Sequence, residues 1–285
     1  MPNAPVYPWA EYLVTPRYLA GSSGTGDAGF APVAHWPHHR LDDGPCQLLV
    51  TSPDGRIRIG WFGDDFELWK IGAAEDAVSA PRWTATFNHV TPAEIVAGLT
   101  TALEHDYSEA TQSEGRFLAG GSLYWADGIQ PLIDAGWSPG AAEYGTVEVL
   151  SPDRQAGAFI DNRHSSSDEA VTLWAGPPGW GTRAEAVFSS RTPSHLIAAT
   201  ATTMTDPAPV IREGHAISRS MEHRVTLTPL HPPTPAAPRA PTPLDVRRTQ
   251  AARARSTLAL PTQAARPVIP APRQPPGPPR PGLGR

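Results

Sequence analysis

With a single cysteine, Cys46, this chain of 285 residues has no internal disulfide and no cysteine-based zinc site. Lysine is almost missing as well: Lys70 stands alone among 23 basic residues, and the others are arginine. No run of 18 apolar residues occurs, so no transmembrane helix and no membrane partner are expected. The first 15 residues lack a basic start and an apolar core, so no secretory signal is expected and the location is read as cytoplasmic. The common catalytic signatures are absent too. There is no Gly-x-Ser-x-Gly, no His-Glu-x-x-His and no phosphate loop. Gly21 to Gly26 is glycine-rich but lacks the lysine and the strand-to-helix setting that a phosphate site needs. His35, His38 and His39 are close in sequence, but Pro37 keeps them off a common helical face and no third ligand is evident. The acidic pairs Asp42-Asp43 and Asp64-Asp65 have no positioned partner. No cofactor, no metal and no enzyme activity are expected.

Proline is abundant, at 34 residues against a usual share of roughly 5%. Fifteen of the prolines fall between His231 and Arg285. That segment carries nine arginines, one acid (Asp245) and a net charge of +8, whereas residues 1–230 carry −13. Its Pro/Ala/Arg composition cannot bury enough apolar surface to order itself, so 231–285 is expected to be a disordered basic tail. Asp245 to Leu260 is free of proline and is expected to become helical when a partner is present.

The body repeats itself. Arg17-Tyr18-Leu19-Ala20-Gly21 returns as Arg116-Phe117-Leu118-Ala119-Gly120, and Trp36 as Trp137. Ser52-Pro53-Asp54 returns as Ser151-Pro152-Asp153, and Phe87 before Thr91-Pro92 as Phe188 before Thr192-Pro193. Leu68-Trp69 reads as Leu173-Trp174, a larger displacement that implies a loss of about four residues after it. A period near 100 residues means a duplicated domain.

In the first unit, strands are expected at Tyr12–Tyr18, 47–51, 56–61, 67–71 and 83–87. Ser52, Pro53, Asp54 and Gly55 form the turn of a hairpin, because proline fixes φ, aspartate bonds its own backbone and glycine accepts positive φ. Thr91 then reads as an N-cap and Pro92 as the first helical residue, with Ile95, Val96, Leu99, Ala102 and Leu103 as the apolar stripe. The second unit follows suit, with strands at 147–150, 157–160, 171–174 and 184–188. Its helix after Thr192-Pro193 carries a stripe of Leu196, Ile197, Ala201 and Met204. Ser151, Pro152 and Asp153 form its turn, but Arg154 replaces the glycine, so a different turn type is expected. A short helix at Gln130–Ala135 has no evident counterpart in the first unit. One terminal strand is expected at 224–227.

The ordered set of five motifs, twice over, resembles the SPDY domain family of actinobacterial proteins, a domain of unknown function that usually occurs as two tandem copies. The resemblance covers about Leu13 to Met204 and is better in the first copy; Ala184 stands where the first copy has Trp83. It implies lineage and duplication and carries over no catalytic or binding residue.

The expected fold is therefore α+β: two tandem copies of an antiparallel sheet with a C-terminal helix, at 10–108 and 112–206, then a strand and linker at 207–230 and the tail. The expected function is a non-enzymatic interaction protein that binds an unknown protein partner through the duplicated domains. The alternative is a nucleic-acid-associated factor using the tail, and a third is an enzyme whose acids and histidines converge from both copies. Paired tryptophans read as core. Trp61, Trp125 and Trp180 are the candidate binding residues of the body, with Trp9 also outside the shared pattern; Arg247, Arg248, Arg253 and Arg255 are those of the tail. Cys46 reads as a small buried apolar residue.

Overall fold

A computed structural model describes residues 6–42, 44–63, 67–110, 115–120, 124, 126–140, 145–161, 169–179, 181–231 and 242–258. The chain forms two compact units, residues 1–233 and 234–285.

The first unit starts with β1 (Glu11–Thr15), a 3-10 turn at Arg17–Leu19 and a short helix α1 (Asp27–Phe30). Five strands follow: β2 (His38–Arg40), β3 (Cys46–Thr51), β4 (Ile57–Phe62), β5 (Trp69–Ala73) and β6 (Trp83–Phe87). Helix α2 (Ala93–Ser108) comes next, then a 3-10 turn at Arg116–Leu118 and helix α3 (Ala126–Asp134). The pattern recurs as β7 (Ser138–Pro139), β8 (Thr146–Leu150), β9 (Ala156–Asp161), β10 (Glu169–Ala175), β11 (Ala184–Ser189) and α4 (Ser194–Thr205). Two last strands, β12 (Val210–Glu213) and β13 (Thr226–Pro229), close the unit.

Ten strands make one antiparallel sheet in the order β2-β3-β4-β5-β6-β11-β10-β9-β8-β7. The second half is therefore the first half reversed, joined at β6 and β11 through Ala186↔Phe87, Val187↔Thr86 and Phe188↔Ala85. Alternation decides which face is buried. Ile57, Ile59, Ile71, Ala85, Phe87, Phe188, Leu173, Ala158 and Ile160 are buried, as is the α2 stripe of Ile95, Val96, Leu99 and Leu103 and the α4 stripe of Leu196, Ile197, Ala201 and Met204. Each such Ile or Leu stabilises the fold by about 1.5–3 kcal/mol relative to exposure. The opposite face, with Arg58, Lys70, Thr84, Thr86, Val187, Thr172 and Phe159, stays partly or fully exposed.

Register corrects several expectations. Trp69 faces Phe87 and Val171 faces Phe188, so Val171 holds the place of Trp69. Leu173 faces Ala186 as Ile71 faces Ala85. The Leu-Trp resemblance was thus a false pairing: Trp174 stands in the place of Gly72, on the other face, and no four-residue loss follows it. The stretch read as a strand over Tyr12–Tyr18 ends at Thr15, and β1 lies between β12 and β13 in a separate three-stranded sheet. Two strands, rather than one, thus come from 210–230. Helix α1 has no expectation from sequence and is the counterpart of α3; the glycines in and before it hide it from a propensity reading.

Neither Thr91 nor Thr192 caps a helix. The residue before Ala93 is Pro92 and that before Ser194 is Pro193, and neither cap has a side-chain hydrogen bond. The threonine hydroxyls reach the other half instead: Thr91 Oγ1 donates to the Glu185 carbonyl at 3.1 Å and Thr192 Oγ1 to the Thr84 carbonyl at 3.3 Å. Asn88 Nδ2 donates to the Arg183 carbonyl at 2.7 Å, and the Thr84 N–H donates to Ser189 Oγ at 3.0 Å. These bonds clasp the β6–β11 seam from both ends.

In the second compact unit, helix α5 (Pro243–Leu258) lies within the segment read as disordered. The rest of the 232–285 reading lies outside the described residues.

Candidate functional site

The two Ser-Pro-Asp turns are built alike. Ser52 Oγ donates to Asp54 Oδ1 at 2.7 Å and accepts the Ile57 N–H at 2.9 Å; Ser151 Oγ donates to Asp153 Oδ1 at 2.6 Å and accepts the Ala156 N–H at 3.0 Å. Pro53 and Pro152 are the second residue of each turn. Gly55 has φ 75°, and Arg154 has φ 55° with the same N–H bond back to the serine carbonyl. The second turn therefore keeps the first one's form, against expectation, and Arg154 bears the strain of a left-handed backbone. Burial works to raise the Asp54 carboxyl, but hydrogen bonds from Ser52 and Arg56 outweigh it and hold it below its usual range.

Each turn is met by an aromatic segment distant in sequence. Tyr18 Oη donates to Asp153 Oδ2 at 2.9 Å, and its ring meets Trp137 edge-on at 5.8 Å. Burial, and then the Asp153 charge, push the Tyr18 hydroxyl well above its ordinary pKa. Phe117 in turn lies under the Arg56 guanidinium at 4.9 Å, and its carbonyl accepts the Trp83 indole N–H at 2.6 Å. The Arg-aromatic-Leu-Ala-Gly segments are thus exchanged between halves.

The helices are linked the same way. α2 and α4 run antiparallel, with Gly98 at the crossing: a Cβ there would come within 2.3 Å of Thr203 Oγ1 and 2.8 Å of the Ala199 carbonyl. At one end Arg212 NH2 pairs with Glu94 Oε2 at 2.6 Å, and its guanidinium also donates to the Gly21 carbonyl. Burial acts to raise Glu94, but Arg212 prevails and its carboxyl sits below the usual range. At the other end His195 Nε2 lies 2.6 Å from Asp106 Oδ2, and Asp106 is buried. An acid and a histidine from the two halves do therefore converge, but between helices rather than in a cleft.

The cleft itself lies elsewhere. About 180 Å³ of space is lined by Tyr18 to Ser22, His89, Val90, Ala175, Gly181, Thr182, Ala184 and the segment from Ala216 to Met221. Small residues (Ala20, Gly21, Ala175, Gly181, Ala184) alternate there with the larger Tyr18, Leu19, His89, Val90 and Met221, and no carboxylate lies among the described lining residues.

Residues 51–109 match the family model SPDY, a domain of unknown function (DUF317). The match runs from the end of β3 to the residue after α2, inside the first half. No curated protein and no solved structure matches the chain.

Among the residues singled out from sequence, Trp61 lies on β4 on the helix-covered face, half-buried, 4.6 Å from the Trp69 ring and 6.1 Å from Phe30. It packs against the core. Trp125 and Trp180 lie outside the described residues. Trp9 is 82% exposed, beside His215. Arg247, Arg248 and Arg253 are exposed on α5, and Arg255 lies within that helix. Cys46, the first residue of β3, is half-buried rather than buried, and desolvation raises its thiol pKa. Among the described residues no group of His, Cys, Asp and Glu is placed to hold a metal, and no helix is long and apolar enough to cross a membrane. The cleft and the helix-end ion pairs were missed by sequence reasoning, since both depend on which residues meet across the halves.

Proposed function

We propose that the chain is a non-enzymatic interaction protein, built of two SPDY-type copies fused edge to edge, that binds a protein partner on the open sheet face. The duplication reading is supported by the mirrored strand order, the paired turns and the reciprocal clasp. The binding reading is carried by one observation. The row Lys70, Thr86, Val187, Thr172 and Phe159 crosses the seam without a break, so both halves supply one continuous surface of mixed polarity. Interfaces of non-obligate complexes have that composition.

Thr86→Arg with Thr172→Arg places two bulky charges on that row without touching the buried face. Full-length protein is expected to retain a partner from its native cell extract that the folded double variant loses. Equal retention by both proteins sinks the assignment of the face. Binding of the same partner by a folded single copy at full strength sinks the shared-surface mechanism.

A second reading rests on α5. Thr242 Oγ1 donates to Asp245 Oδ2 at 2.7 Å and accepts the Asp245 N–H at 3.3 Å, a capping box with Pro243 in the first turn. Of the three Thr-Pro pairs discussed, this one caps a helix. The described side chains from Leu244 to Arg253 are exposed, and the sole carboxylate of the tail is engaged in the cap. The tail has no aromatic residue to stack a base, so its partner in this reading is the phosphate backbone of a duplex. Asp245→Ala removes a negative charge and the cap together. Weaker binding of a 20-bp duplex supports docking by the helix; tighter binding shows a mere polycation and overturns it.

A further inference from the structure

The cleft occupies the place of a missing tryptophan. In the first half Trp83 faces Ala73 across the β5–β6 ladder and is buried, with its indole N–H bonded to the Phe117 carbonyl at 2.6 Å. In the second half Ala184 faces Ala175 at the same register, and both line the cleft. The other walls correspond as well. Phe117, whose carbonyl takes the Trp83 N–H, matches Tyr18 of the second site in the Arg-aromatic-Leu-Ala-Gly motif, and in sequence the loop before Trp83 matches Gly181 and Thr182. The missing indole leaves the cavity, and Ala216, Ser218 and Met221 border it from a segment that follows both halves.

From this correspondence we infer that the cleft is a binding site for an indole-sized planar aromatic group carrying one N–H donor. The fold itself shows the fit: Trp83 is the template for what fills such a site, and Tyr18 holds the position of the residue whose carbonyl takes its N–H. The walls explain the class of ligand. Ala20, Val90, Ala175, Ala184 and Met221 offer apolar contact, a methionine suits an aromatic edge, and among the described lining residues there is no Asp, Glu, Lys or Arg, His89 being the one titratable nitrogen. The ring comes either from a free small molecule or from a tryptophan side chain of a partner; the recognition chemistry is the same. The inference rests on strand register and not on the open-face reading, so either can fail alone.

The test is calorimetric titration of the full-length protein with indole, whose nine heavy atoms set an expected Kd on the order of 0.1–1 mM. 1-Methylindole, which cannot donate, is expected to bind about five-fold more weakly. Ala184→Trp restores the side chain of the first half. It is expected to abolish indole binding and to raise Tm by about 3 °C. Should that variant fail to fold, Ala184→Leu fills part of the space and is expected to weaken binding at least ten-fold. N-acetyl-tryptophanamide separates the sources: binding as tight as indole points to a partner's side chain, and exclusion points to a free ligand, the site standing in either case. Absence of heat with 5 mM indole, undiminished binding in a folded Ala184 variant, or equal binding of an aliphatic alcohol of similar size overturns the assignment.

Discussion

The half of the sheet built from residues 38–87 and the half built from 138–189 share register, turns and helix but not bulk. The first fills its interior with Trp69 and Trp83, where the second has Val171 and Ala184. The second places Trp174 on the opposite face, where the Arg183 guanidinium stacks on it at 4.4 Å and the ring lies over Gly157. The two halves share backbone geometry and differ in their side chains. The first half is the better packed, and the second is where a cavity opens.

The sharpest way to break that comparison is to truncate the two misleading tryptophans. Trp69→Ala removes a buried ring and is expected to cost about 4 kcal/mol, whereas Trp174→Ala on the open face costs about 1–2 kcal/mol. Equal losses in urea denaturation would show that the faces are not as unlike as burial indicates. Next comes the helix crossing. Gly98→Val forces α2 and α4 apart and is expected to cost about 3 kcal/mol, while Ala199→Gly at the matching place on α4 costs about 1 kcal/mol. Thermal melts of both variants check the asymmetry.

The third test is acid. The Glu94 carboxyl is held low by Arg212, so its contribution to stability is present above its unfolded pKa, near 4.5, and is lost as pH falls through the lower folded value. Arg212→Met should lower stability at neutral pH, by about 3 kcal/mol, and flatten the loss below pH 4.5. His195→Gln at the opposite end of the helix pair should leave that acid limb in place. The smallest effect is at the turns. Arg154→Gly should stabilise by about 0.5–1 kcal/mol, and Gly55→Ala should destabilise, since its Cβ would come within 2.9 Å of Ala77 Cβ at a left-handed φ. A stabilising Gly55→Ala would refute the view that both turns share one geometry.

Much of the fold was legible. The strand at 83–87 and the α2 and α4 stripes follow from two- and 3.6-residue periodicity, and the buried Trp36 and Trp137 follow from the repeat. Position along the chain misled where a local signal had two uses. Thr-Pro favours a helix start, yet Thr91 and Thr192 are consumed by carbonyls of the other half, which no local pattern reveals. Trp174 was paired with Trp69 because identity is visible and register is not. The cleft was the least legible part. The sequence puts Ala184 in the place of Trp83, but the meaning of that small residue appears only once strand register sets Ala184 facing Ala175 as Trp83 faces Ala73.

The exchanged aromatic segments have a consequence for synthesis. Tyr18 must wait for Asp153, and Arg17 for Thr203 and Asp206, so these residues find their partners only well over 100 residues later in the chain. A nascent chain ending near residue 110 would hold β6 with one edge unpaired and Tyr18 without its turn, a state open to edge-to-edge association. For such a chain the second neighbour of β6 exists only once β11 has left the ribosome, so the seam that joins the halves is also the edge left open until synthesis has passed it.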